Sequence, residues 1–332
     1  MRNSRLTSSL LAMLVACLLA ASARAAEPQY KFIKEIQIGG GGGWDYLSVD
    51  PVGRRLYVAH GTKVVVIDIE KDQVVGEVMD TPGVHGFVAV PELKRGFSSN
   101  GREDKASIVD LETLKTLSKV STEGNPDALL YDPATKHVYT FNGRGKSATI
   151  FEAETGKVLA SVPLGGKPET GVVDSAAGRV YVNIEDKDEI AVIDTKIHQV
   201  VNHWPIAPGK SATGLAIDVE HHRLFVGCGR DHMLMIDSTS GKVVADVPSG
   251  QGVDAAAFDP GTQLAFVSAG GSGTVIIAHE DSPDKLTVVQ TLTTERGART
   301  MALDPKTHKI YLANAKNRQD ATSFKVLIYG PQ

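Results

Sequence analysis

The chain has 332 residues, 42% of them hydrophobic, with 35 basic and 39 acidic side chains and a formal charge of −4. That balance argues against a broad nucleic-acid-binding face, which needs a basic stripe, and two cysteines are too few for a disulfide-stapled scaffold. A chain of this length can rest on a hydrophobic core of its own.

In chain order, the first segment reads as an export signal. Arg2 and Arg5 precede an apolar run from Leu10 to Ala21, short for a membrane span, and Ala23-Arg24-Ala25 offers a small-x-small cleavage site. Cleavage there separates a signal peptide, 1–25, from a single domain, 26–332. It removes Arg2, Arg5 and Arg24 and no acid, so the charge moves from −4 to −7. The expected product is a periplasmic protein without a transmembrane span. A competing reading takes Leu14-Val15-Ala16-Cys17 as a lipobox, which would leave a lipid anchor on Cys17. In the cleaved chain only Cys228 remains, so no internal disulfide can form.

From Tyr30 onward the sequence is a succession of short apolar runs, rich in Val and Ile and broken by Gly, Pro and Asp, which are strand and turn signals. The first full unit shows the plan. Tyr46–Val49 is an inner strand, Arg55–Ala59 a second, Val64–Ile67 a third and Val74–Val78 an outer one. The unit recurs with a period of roughly 42 residues, the signature of a β-propeller blade. Seven residues share one phase just before the inner strands: Asp45, His85, Asp127, Glu169, Thr213, Asp254 and Arg299. The last repeat stops after Lys325-Val326-Leu327-Ile328, with no outer strand of its own, and Tyr30–Ile38 has the character of the missing strand. Pairing the two would close a ring of seven blades and hide two sheet edges. Six or eight blades would leave the arithmetic open. The expected fold is therefore all-β: a seven-bladed propeller closed by its N-terminal strand.

Tyr57-Val58-Ala59-His60, Val138-Tyr139-Thr140-Phe141-Asn142 and Tyr311-Leu312-Ala313-Asn314, with repeated Val-Ile-Asp at the third strands, resemble the repeat of the YVTN family of bacterial β-propellers. The resemblance is nearest to the exported YncE-like group and covers the mature chain. It implies the propeller fold and no particular reaction.

The inner strands of a propeller begin at the rim of one channel, so the shared phase predicts a ring of charged and polar groups on one face. Arg299 would lie between Asp254 and Asp45 as a neutralising set, leaving His85, Asp127 and Glu169 adjacent without a cation from the ring. Neighbouring carboxylates raise one another's pKa, and a carboxylate beside a histidine favours its charged form. That trio suits three roles: ligand binding, general acid–base catalysis, or holding a divalent metal. It also suits plain lining of a hydrated channel. On the same face, Arg102, Arg144 and Arg230 follow glycines at one loop position in three blades, and suit an anionic ligand. Trp44, after the run Gly39 to Gly43, would stack on a bound ring or serve as a linker residue.

The leading expectation is a binding module, monomeric, that takes a small polar or anionic ligand or a periplasmic protein at this mouth. The alternative is a lactonase-like hydrolase using His85, Asp127 and Glu169, with or without a metal. A third reading, single-stranded nucleic acid stacked on Trp44, Tyr46 and Phe87, runs against the acidic ring. On the opposite face, His221, His222 and His308 read as turn residues, because no third metal ligand stands near them in sequence.

Overall fold

The computed structural model describes residues 29–317 and 320–332. The export signal and Cys17 lie outside the described residues, as does any cleavage after Ala25.

Seven four-stranded antiparallel sheets make up the described chain, with two short 3-10 turns at Pro91–Leu93 and Glu185–Lys187. In blade one the strands run Trp44–Asp50, Arg55–His60, Lys63–Asp68 and Gln73–Val78, from the channel outward. Blade seven is built from both chain ends. Its inner strands are Met301–Asp304, Lys309–Asn314 and Lys325–Pro331, and its outer strand is Tyr30–Gln37, paired antiparallel so that Tyr30 faces Pro331 and Gln37 faces Lys325.

The second and third strands are the continuous apolar runs of the sequence because both their faces are covered. Arg55–His60 and Lys63–Asp68 are buried throughout except at Arg55, Lys63 and Asp68, while the outer strand Gln73–Val78 is exposed over its first half. Seven apolar clusters result, one between each pair of adjacent blades. The cluster joining the chain ends packs Leu56, Val58 and Ile67 of blade one against Tyr311, Val326 and Ile328 of blade seven.

Away from the ring, the aspartates that end the inner strands hold the turns. Asp50 Oδ1 accepts the N–H groups of Val52 and Gly53 at 2.9 and 2.8 Å. Several also tie one blade to the next. Arg54 of blade one donates two bonds, of 2.9 and 2.8 Å, to buried Asp304 of blade seven. His308 of blade seven meets Asp259 of blade six at 2.6 Å, and Ser175 of blade four reaches Asp132 of blade three at 2.6 Å. The glycine run is pinned rather than loose: Gly39 and Gly40 donate to Phe324 and Ala321 carbonyls at 2.9 and 2.6 Å. Gly39, Gly40 and Gly42 hold φ of 74°, 86° and 114°, which side chains resist.

Candidate functional site

The ring exists because of a repeated backbone irregularity. In six blades the register between the inner and second strand slips at the start of the inner strand, and the ring residue lies inside the slip: Asp45, His85, Asp127, Glu169, Thr213 and Asp254. A β-bulge re-aims the side chain it contains, so the fold turns this phase of the repeat toward the axis. Arg299 stands just ahead of the seventh inner strand, which starts at Met301.

The side chains divide into two groups. On one side Arg299 binds Asp254 directly through Nη1, reaches Asp45 Oδ1 at 3.5 Å, and donates to the Trp44 carbonyl at 3.0 Å. That is the expected carboxylate–guanidinium–carboxylate set. Next to it, His85 Nδ1 lies 2.6 Å from Asp45 Oδ2 and 3.5 Å from Asp127 Oδ1. Burial works to neutralise His85, but the bond to Asp45 and the charges of Asp127 and Glu169 outweigh it and raise its pKa to about 9. At neutral pH this histidine is an imidazolium whose Nδ1–H points at carboxylates, leaving Nε2–H as a second donor.

Glu169 differs from expectation. It does not group with His85. Lys167, two residues upstream, supplies the cation the ring lacks, at 3.2 Å from Glu169 and 2.5 Å from Glu185. Tyr46 of blade one crosses the channel, its hydroxyl 3.2 Å from both Glu169 Oε1 and Thr170 Oγ1 of blade four. Burial pushes both Asp127 and Glu169 up from the usual carboxylate range; the charge of Asp127 adds to the shift at Glu169, and that of Asp45 to the shift at Asp127. The three ligand atoms close enough to share one ion here belong to Asp45, His85 and Asp127. Glu169 is not among them, so the structure gathers Asp45, His85 and Asp127 where the sequence grouped His85, Asp127 and Glu169.

Above the ring lies a cleft of about 270 Å3, lined by Gly43, Trp44, Asp45, Gly83, His85, Arg102, Asn125 and Arg299, among others. Its position follows from the phase two residues before the ring: Gly43 and Gly83 leave space over blades one and two, whereas Lys167 fills the same place over blade four. Asn125 and Lys167, both in that phase, are site residues the sequence reading missed, although the repeat marks their positions.

The three loop arginines part company. Arg102 lines the cleft, and its exposed guanidinium has no ion pair or hydrogen bond among the described residues. Arg144 is committed to Asp104 at 2.7 Å. Arg230 is exposed over blade five and lies outside the cleft lining. At Gly101 a Cβ would stand 2.7 Å from both His85 Nε2 and Asn125 Oδ1, so the glycine makes room for these two side chains. Trp44 lines the cleft while its ring packs on Phe324, centroids 5.9 Å apart. The stacking platform needed for nucleic acid is not formed, because Phe87 is buried on Tyr57 with ring centroids 4.4 Å apart, and Tyr46 is turned into the channel. Cys228 is a buried filler whose thiol burial pushes up to about 12.

The fold and the ring together define a seven-bladed β-propeller with a charged channel mouth on one face. The chain matches no family model and no curated protein sequence. In structure it is similar to a chain of Kuenenia stuttgartiensis hydrazine synthase, with a TM-score of 0.75 at 15% identity, over 86% of this chain and 95% of that one. A likeness at that identity carries the propeller architecture and nothing of the chemistry. No helix among the described residues is long and apolar enough to cross a membrane.

Proposed function

We propose that this chain is an exported, periplasmic propeller of the YVTN-repeat, YncE-like kind that binds a small anionic ligand at its channel mouth. One observation carries the reading. Arg102 lines the cleft beside protonated His85 and Arg299, and among the described residues its guanidinium has no ion pair or hydrogen bond, whereas His85 and Arg299 are already matched by Asp45, Asp127 and Asp254. A guanidinium at a concave rim recognises a carboxylate or phosphate through two parallel bonds. The volume lies just under the usual range for drug-sized ligands, roughly 300–1,000 Å3, which points to a compact anion.

Calorimetric titration of the purified chain with citrate and with inorganic phosphate tests this. Saturable binding at pH 7 that is lost in Arg102→Ala and weakens as pH climbs through the His85 pKa supports it. Heat that is unchanged in Arg102→Ala would overturn it.

Hydrolysis is the second reading, favoured by the raised carboxyls of Asp127 and Glu169, which suit general acid–base work near neutrality. Lactone or ester turnover abolished by Glu169→Gln supports it. No turnover across such a panel removes it.

A further inference from the structure

The face opposite the ring holds a second cluster of ligand-type atoms. Asp218 ends the inner strand Ala212–Asp218 of blade five, His221 lies in the turn that follows, and Glu280 comes from the third strand of blade six, Thr274–Ser282. His221 Nδ1 lies 2.7 Å from Asp218 Oδ2 and 3.4 Å from Glu280 Oε1. All three atoms lie within 4.8 Å of one another. Donor atoms around one ion with bonds of about 2.0–2.2 Å stand roughly 3 Å apart, so the spacing suits a shared cation.

Two independent observations separate this cluster from an ordinary acidic turn. The first is the unmet hydrogen bonding of its buried atoms. Among the described residues, Asp218 Oδ2, His221 Nδ1 and both carboxylate oxygens of Glu280 are buried without a well-formed hydrogen bond and meet only one another, at ion-pair distance, and Glu280 is only 3% exposed. Two buried carboxylates that share a single imidazole are costly unless a further positive charge meets them. The nearest guanidinium, Arg223, is already bound to Asp237 at 2.9 Å and to Asp284 at 3.2 Å.

The second is that the cluster breaks the repeat at two places at once. The backbone N–H of Glu280 bonds to the Gln263 carbonyl, as those of Ile69, Leu111, Ala153, Thr195 and Ser238 bond to the matching carbonyls of their blades. Five blades thus carry an apolar or hydroxyl side chain where blade six carries a carboxylate. At the turn position of His221, blades three and seven have Thr135 and Thr307, whose hydroxyls satisfy the strand-ending aspartates at 2.8 and 2.6 Å. Asp304 and Asp259 also receive Arg54 and His308 from the neighbouring blade, whereas Asp218 meets the Glu280 carboxyl there.

We propose that Asp218, His221 and Glu280 form a divalent transition-metal site at the seam of blades five and six. One imidazole and two carboxylates favour Zn2+ or Mn2+ over Ca2+ and Mg2+, which prefer all-oxygen shells. Two negative carboxylates balance the charge of the ion. His221, with its side chain 33% exposed, leaves a path for entry and for water ligands. The ion joins two blades and is independent of the ligand at the channel mouth.

The test uses the purified chain stripped with EDTA, with free Mn2+ followed by electron paramagnetic resonance and thermal stability followed with Mn2+ or Zn2+. The expected result is one ion per chain and a rise in Tm on adding either ion. Glu280→Gln and His221→Gln should each weaken binding by more than the roughly 10–100-fold typical of a disturbed outer partner. His85→Gln should leave it unchanged. Loss of binding in His85→Gln but not in Glu280→Gln would move the ion to the channel mouth and overturn the proposal. So would a folded wild type that takes up no ion while Glu280→Gln raises its Tm, because the two carboxyls would then share a proton instead.

Discussion

Replacing His85 with Gln tests the electrostatics on which the channel mouth depends. Glutamine can still donate a hydrogen bond to Asp45 but carries no charge. In the fold, the His85 pKa stands at about 9 against an ordinary value of 6.5. That difference corresponds to about 3 kcal/mol, or about 2–3 kcal/mol once the 27% exposure of the side chain is allowed for. The sign follows from linkage. Below the ordinary value the imidazole is protonated in the folded and the unfolded chain, and the full stabilisation is present. It is lost as pH rises through about 9, where the folded form gives up its proton. Urea unfolding of wild type and His85→Gln should therefore differ by about 2–3 kcal/mol near pH 7 and converge toward pH 10. The subtraction removes groups that titrate alike in both proteins, and the imidazole Cε1–H resonance reads the pKa directly. A difference that stays level from about pH 7 to about pH 10 would mean that His85 is neutral in the fold. The cleft would then lose the charge that His85 sets against Asp45 and Asp127.

Other perturbations probe the seams and the channel. Arg54→Met leaves Asp304, fully buried, without its guanidinium, and should cost roughly 3–5 kcal/mol by denaturant unfolding. Because Arg54 and the Thr307 hydroxyl hold the Asp304 pKa down against burial, this contribution is present at neutral pH. It should shrink as pH falls below the usual carboxylate range, so the penalty should fade in acid. Tyr46→Phe removes the hydroxyl that meets Glu169 and Thr170, and should cost about 1 kcal/mol in the same assay; an unchanged midpoint would mean that the bridge across the channel adds nothing. The Cys228 thiol should resist a thiol reagent at pH 8 in the folded chain and react once urea unfolds it, since burial holds its pKa at about 12.

Much of this architecture is written locally. Short apolar runs spaced by turn residues specify strands, and the missing outer strand after Ile328 specifies a partner elsewhere; Tyr30–Gln37 takes that place. The shared phase of Asp45, His85, Asp127, Glu169 and Asp254 was also legible, because a repeat converts equal spacing in sequence into equal position around an axis. So was the Asp254–Arg299–Asp45 set, which depends only on blade order. What spacing cannot tell is how far a side chain reaches and what already occupies its neighbour. Arg102 and Arg144 share a loop position, yet one borders the cleft and the other is taken by Asp104. Lys167 neutralises Glu169, and Tyr46 spans from blade one to blade four, a contact that exists only once the ring has closed. Glu280 shows the same limit most plainly. It is far from His221 in the chain, and only the packing of blade six against blade five brings the two within 3.4 Å. Strand pattern and repeat phase depend on near neighbours and survive in one dimension. Charge pairing and burial depend on contacts between blades, which the tertiary structure alone decides.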